Sequence, residues 1–157
     1  MANTFAKIYL HFVFAVKGRQ NQIQKEWKDE LYKYICGIVK NKKQKVYAIN
    51  GMHDHMHLLI STQADFNPSV IMRDVKSNST KWINSKNYLT GKFYWQEGFA
   101  VFSYSESQLN TIIAYINNQE KHHKKMTFKQ EYLGFLKKFN IEYDERYVFE
   151  WYEDKEE

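Results

Sequence analysis

A chain of 157 residues, with 17% aromatic side chains and one proline, has the size and make-up of one globular domain with a hydrophobic core. Its short apolar runs, broken by charge, argue against a membrane span, Met1-Ala2-Asn3-Thr4-Phe5 lacks a signal-peptide pattern, and the lone Cys36 excludes an intrachain disulfide, so a cytoplasmic protein is expected. The net charge of +5 is uneven: residues 1–141 hold 21 Lys and Arg against 10 Asp and Glu, whereas residues 142–157 hold 2 against 8.

A body of net +11 before a tail of net −6 divides the chain into a domain over 1–141 and an acidic C-terminal tail over 142–157. The basic body suits a polyanionic partner, nucleic acid first, although lysines that simply face water would give the same count.

Residues 4–16 alternate as a first strand, with Ile8, Leu10, Phe12, Phe14 and Val16 on one face and Lys7, Tyr9, His11 and Val13 on the other. From Ile23 to Asn41 the period becomes helical, with Trp27, Leu31, Tyr34, Ile35 and Ile38 on one stripe. Lys45–Asn50 reads as a second strand, with Gly51-Met52 as a tight link into a third, antiparallel one. In that third strand Met52, Met56, Leu58 and Ile60 recur with period two, which places His53, His55 and His57 together on the opposite face. A metal or a phosphate is the natural occupant of such a row.

Asn67 and Pro68 read as N-cap and first residue of a second helix, to about Lys86. Its face of Lys76, Ser77, Asn78, Ser79, Thr80 and Lys81 suits phosphate contacts, and a solvated surface fits it equally well. An aromatic loop over 87–98 leads to a fourth strand, Phe99–Tyr104. Ser105-Glu106-Ser107-Gln108 matches a capping box, so a third helix follows to about His122, with Leu109, Ile112, Ile113 and Ile116 as its buried stripe. Tyr115 and Gln119, four residues apart, share the edge of that stripe, where they are either catalytic or an ordinary boundary pair. Lys121, His122, His123, Lys124 and Lys125 make the helix end basic. Residues 126–140 suggest a fourth helix, and Tyr147, Val148, Phe149 and Trp151 a short extended piece.

The order strand, helix, strand, strand, helix, strand predicts an α+β fold of split βαβ, ferredoxin-like type: a four-stranded antiparallel sheet with helices on one face. The helix carrying Tyr115 and the one after it are C-terminal additions to that unit. Two imidazoles from a strand and an oxygen ligand from a helix would leave room for water and phosphate oxygens around a divalent metal. Imidazole with oxygen ligands suits Mn²⁺ better than Mg²⁺. A tyrosine nearby could attack phosphorus once its proton is removed.

Asp54-His55-Met56-His57-Leu58-Leu59-Ile60 resembles the HUH motif, two histidines around a hydrophobic residue. Tyr115-Ile116-Asn117-Asn118-Gln119 with His122-His123 resembles the tyrosine helix of the single-tyrosine HUH transposases of IS-two-hundred-like insertion sequences, relatives of the REP-associated tyrosine transposases. The likeness extends to the opening strand with His11 and to Trp95-Gln96-Glu97-Gly98-Phe99.

The resemblance implies that His55, His57 and Gln119 bind Mg²⁺ or Mn²⁺ and that Tyr115 attacks single-stranded DNA, leaving a 5′-phosphotyrosine and a free 3′-OH. It also implies hairpin-ended DNA as partner and a homodimer whose sites are completed in trans, with the Ser103–Ser107 link as hinge. Lys76, Lys81, Lys121, His122, Lys124 and Lys125 are the candidate DNA contacts. His53 is not counted as a ligand, and the tail has no assigned role. The competing readings are a replication initiator or relaxase, a histidine-triad nucleotide hydrolase, and a domesticated binder of DNA or RNA hairpins without cleavage. The absence of a helicase or further domain favours a stand-alone transposase over the first, and Asp54 departs from the hydrophobic spacer of the second.

Overall fold

Alternation sets the centre of the molecule. In the structure, a computed structural model describing residues 3–18 and 22–148, the elements run β1 (Ile8–Ala15), α1 (Lys28–Asn41), β2 (Lys45–Met52), β3 (His55–Thr62), α2 (Pro68–Ser85), β4 (Ala100–Tyr104), α3 (Leu109–Asn117), α4 (Gln119–His123) and α5 (Phe128–Lys138). Single 3₁₀ turns occupy Glu106–Gln108 and Glu145–Tyr147. The sheet order is β2-β3-β1-β4, antiparallel throughout, as a split βαβ unit requires.

Each face of the sheet carries its own core. Leu10, Phe12 and Phe14 of β1 and Met56, Leu58 and Ile60 of β3 meet Leu31, Ile35 and Val39 of α1 and Ile71, Met72, Val75 and Ile83 of α2. On the other face Val13, Ala15, Leu59, Phe102 and Tyr104 meet Ile112 and Ile116 of α3 and Phe128, Tyr132, Phe135 and Leu136 of α5. The C-terminal additions therefore cover the face that the split βαβ unit leaves open, and β1 and β3 are buried on both sides.

Local chemistry fixes the ends of the helices. Asn67 Oδ1 accepts the Ser69 and Val70 amides at 3.0 and 3.3 Å, with Pro68 in the first helical position of α2. Gln108 Oε1 accepts the Ser105 amide at 3.1 Å before α3, and Thr127 Oγ1 accepts the Gln130 amide at 3.2 Å to start α5. The segment before β4 is tied to β1, with the Gln96 amide donating to Ala15 O at 2.8 Å and the Lys17 amide to Tyr94 O at 2.9 Å. Phe93 and Trp95 from this segment are core residues, and Trp95 Nε1 donates to the buried Ser79 Oγ at 2.9 Å.

Three expectations change. β2 continues through Gly51 and Met52, pairing Met52 with His55, so His53 and Asp54 form the turn and β3 begins at His55. His53 is exposed in that turn, not on the face of His55 and His57. The expected third helix divides at Asn118 into α3 and α4. Residues 145–147 make a 3₁₀ turn, not an extended piece, while Phe149 and Trp151 lie outside the described residues. Among the described residues no helix is long and apolar enough to cross a membrane.

Candidate active site

His55 and His57 stand two residues apart on β3, so both side chains leave the same face of the sheet, and both are fully buried. Buried imidazoles need partners. His55 Nδ1 lies 2.7 Å from Asp54 Oδ1, and His57 Nδ1 lies 2.7 Å from Nε2 of His11 on β1. With Nδ1 engaged behind, each ring turns Nε2 toward α4 and α5.

There the Nε2 atoms meet two oxygens. His55 Nε2 is 2.9 Å from Gln119 Oε1 and 3.3 Å from Glu131 Oε1, and His57 Nε2 is 2.9 Å from the same Glu131 oxygen. Gln119 Nε2 donates to Glu131 Oε2 at 3.1 Å, and the Tyr115 hydroxyl also donates to Oε2. Gln119 and Glu131 are buried, so one carboxylate of α5 joins Tyr115 of α3, Gln119 of α4 and both β3 histidines.

The break at Asn118 contributes to this geometry. Gln119 opens α4, and β2 holds the junction, with Asn50 Nδ2 donating to Ile116 O at 3.0 Å and to Asn117 O at 3.3 Å. The Tyr115 ring is stacked on His122, with centroids 4.5 Å apart, and stands edge-on to Phe135.

Charge follows from contact. Burial pulls His55 down, but the hydrogen bonds to Asp54 and Glu131 outweigh it and push the imidazole up to about 9. Burial lowers His57, and burial together with the neighbouring His57 lowers His11 well below the usual imidazole value. Burial alone would raise Glu131, yet hydrogen bonds from His123, His55 and His57 hold its carboxyl far below the carboxylate range. Burial first, then the charge and hydrogen bond of Glu131, raise Tyr115 above the ordinary phenol.

One donor atom from each of His55, His57 and Glu131 lies within 4.8 Å of the others, and all three residues are buried. Two imidazoles, a carboxylate and the carbonyl oxygen of Gln119 form a donor set that fits a divalent cation.

The expected site residues thus divide. His55, His57, Tyr115 and Gln119 come together within one chain. Lys76 instead donates to Gln96 O at 2.8 Å and Gly98 O at 2.6 Å, with Nζ drawn from solvent and its pKa lowered to about 8 by burial. Ser79, expected on the polar face of α2, is fully buried. Lys81, Lys121, Lys124 and Lys125 are exposed, and His122 lies on Tyr115. Glu145, in the first part of the acidic tail, pairs with Lys129 at 2.8 Å. Sequence reasoning missed Glu131, although a carboxylate among Phe128, Tyr132 and Phe135 on one helical stripe was a readable signal.

The sequence pattern of the family described as "Transposase IS200 like" matches residues 4–119. The chain belongs to this transposase family. No curated protein matches it. Among solved structures, this transposase resembles a Deinococcus radiodurans protein assigned as a transposase, with 22% identity, a TM-score of 0.60, and 76% of this chain and 95% of the other covered. It also resembles a REP-associated tyrosine transposase bound to a REP hairpin, with 17% identity, a TM-score of 0.59, and 78% and 72% of the two chains covered. At these identities the two structures bear on the transposase's fold, and both agree with the four-stranded antiparallel sheet and its helices.

Proposed function

We propose that this transposase cleaves and rejoins single-stranded DNA through a 5′-phosphotyrosine formed at Tyr115, with Mg²⁺ or Mn²⁺ held by His55, His57, Gln119 and Glu131. The observation that carries the reading is the shared carboxylate: Tyr115 donates to one oxygen of Glu131, and the other oxygen lies 2.9 Å from His57 Nε2 and 3.3 Å from His55 Nε2. The nucleophile is therefore one carboxylate away from the ligand atoms.

In the reaction the Tyr115 oxygen forms a bond to phosphorus as the bond from phosphorus to the 3′ oxygen breaks. The phenol loses a proton and the departing 3′ oxygen gains one. Glu131 Oε2 holds the Tyr115 proton before attack, and the stacked His122 limits rotation of the ring. A divalent cation bound here supplies Lewis-acid stabilisation of the charge that develops on the phosphate oxygens. Rejoining is the reverse attack by a 3′-OH, and it needs no ATP because the ester conserves the bond energy.

The partner proposed is single-stranded DNA with hairpin ends. A relative bound to a REP hairpin and the basic body over residues 1–141 support it. Lys121, Lys124 and Lys125 are the exposed cations offered to phosphates at α4, with His122 partly buried among them. Lys81 is exposed on α2 across the sheet, and Lys76 of the same helix is committed to Gln96 O and Gly98 O. A homodimer with sites completed in trans is compatible with this chemistry, although the residues also meet in cis. The catalytic domain spans residues 1–141.

Incubation with Mn²⁺ and labelled single-stranded DNA carrying the element's end, followed by a denaturing gel, tests the reading. A protein–DNA adduct that disappears in Tyr115→Phe is expected. An adduct persisting in that variant removes Tyr115 from the role. Nucleotide hydrolysis needing the histidines but not Tyr115 would replace the reading by the histidine-triad one.

A further inference from the structure

His123 closes α4, one turn after Gln119, so its side chain returns to the line on which Gln119 points at the sheet. Its side chain is 8% exposed. Nε2 of this ring lies 3.1 Å from Gln119 Oε1 and 3.2 Å from Glu131 Oε1, the same two oxygens that His55 Nε2 meets at 2.9 and 3.3 Å. Three imidazoles, from His55, His57 and His123, therefore converge on one carboxylate oxygen.

The hydrogen bonds behind the rings say what those Nε2 atoms offer. His123 Nδ1 lies 3.0 Å from the carbonyl oxygen of Met126. A carbonyl only accepts, so Nδ1 carries the hydrogen and the neutral ring presents a lone pair at Nε2. His55 is arranged likewise against the Asp54 carboxylate. The Gln119 amide nitrogen is committed to Glu131 Oε2, which turns the Gln119 carbonyl oxygen toward both rings. Without a cation, protons on these Nε2 atoms bridge to Gln119 Oε1 and Glu131 Oε1; once those protons leave, lone pairs of His55 and His123 converge with lone pairs of Gln119 and Glu131. A cation among them satisfies every one of these groups.

The spacing agrees. Ligands on adjacent vertices of an octahedron, at metal–ligand distances of about 2.1 Å, lie about 3 Å apart. The five separations between an imidazole Nε2 and Gln119 Oε1 or Glu131 Oε1, from 2.9 to 3.3 Å, are of that size.

We infer that His123 is a third imidazole ligand, which makes this a nitrogen-rich site selective for a transition-metal divalent cation over Mg²⁺. The inference rests on the metal-dependent reading above and commits to one side of its Mg²⁺ or Mn²⁺ alternative. Three imidazoles suit transition metals, whereas Mg²⁺ prefers oxygen ligands and retains its water.

Pulsed EPR of the Mn²⁺-loaded full chain counts the nitrogens coupled to the metal, and calorimetry gives Mn²⁺ and Mg²⁺ affinities. Three histidine nitrogens are expected in the unaltered protein and two in His123→Gln. Mn²⁺ affinity in that variant should fall roughly 10–100-fold, with a smaller change for Mg²⁺. Two nitrogens in the unaltered protein would overturn the inference even if His123→Gln failed to fold. Unchanged Mn²⁺ affinity in a folded His123→Gln would do so as well. His55→Gln is the control: if it too binds Mn²⁺ normally, the metal reading itself fails, whereas loss there with retention in His123→Gln rejects only the role of His123.

Discussion

His11 Nε2 and His57 Nδ1 lie 2.7 Å apart within the sheet, with their rings stacked and both residues fully buried. The contact joins β1 to β3 directly behind the candidate ligand atom, because Val13 pairs with His57 and His11 is one step further along the same face. His57 can offer Nε2 as a lone pair only when its own hydrogen is on Nδ1, which His11 Nε2 then accepts. Replacing His11 by Phe keeps the ring's bulk and removes that acceptor. Metal affinity measured by calorimetry should fall roughly 10–100-fold, with partial recovery in His11→Gln. Equal affinity in the Phe variant would show that His57 holds its tautomer unaided.

The metal-free protein should be most stable near neutral pH. Burial lowers His11 and His57, so below about pH 6.5 the unfolded chain binds protons that the folded chain refuses, and stability is lost as pH drops. His55 has the opposite sign. Its folded value of about 9 lies above the ordinary 6.5, so its contribution is fully present below pH 6.5 and is lost as pH rises toward 9. That shift corresponds to about 3 kcal/mol. Thermal unfolding between pH 5 and 9 should give a dome, and His55→Gln should flatten its alkaline side. A melting temperature that climbs steadily to pH 9 would contradict the assignment.

How far the sequence reveals this arrangement depends on the range of the interaction. Period-two alternation is local and marks Met56, Leu58 and Ile60 against His55 and His57, as Asn67-Pro68 and Ser105–Gln108 mark helix starts. The convergence on Glu131 is not local, because His55 and His57 lie 76 and 74 residues before it. The break at Asn118 also has only a faint signal, an Asn-Asn pair without glycine or proline. His53 lies off the face of His55 and His57 for a third reason: strand pairing runs through Met52 and sets the turn two residues later, at His53-Asp54, which alternation alone does not fix.

Gly51 makes that pairing possible. A Cβ at this position would lie 2.2 Å from His55 O, closer than any real contact of this kind, and the obstructing atom is backbone. Gly51→Ala should force the His53-Asp54 turn outward and carry His55 with it. A loss of about 1–3 kcal/mol in urea unfolding is expected, as for other overpacked sites. Weaker Mn²⁺ binding should accompany it, because His55 moves relative to Gln119 and Glu131. Wild-type stability together with wild-type binding would mean that the hairpin absorbs the methyl group without moving β3.

Glu131 should be the costliest single change. Its carboxylate receives Tyr115 and Gln119 on one oxygen and faces three imidazoles with the other. Glu131→Gln keeps the shape but removes the charge, and its amide group must turn a donor toward groups that are themselves donors. Breaking a buried charged network in this way costs about 3–5 kcal/mol, against well under 1 kcal/mol for an exposed pair. Urea unfolding of the metal-free variant should show that loss. Tyr115 should titrate at lower pH than in the unaltered protein, because two of the influences raising it come from Glu131, while burial keeps it above the ordinary phenol. Tyrosine ¹³C NMR reads that shift. An unchanged Tyr115 titration with unchanged stability would mean that α5 does not deliver Glu131 into the site in solution, and the shared carboxylate would then lose its place in the mechanism.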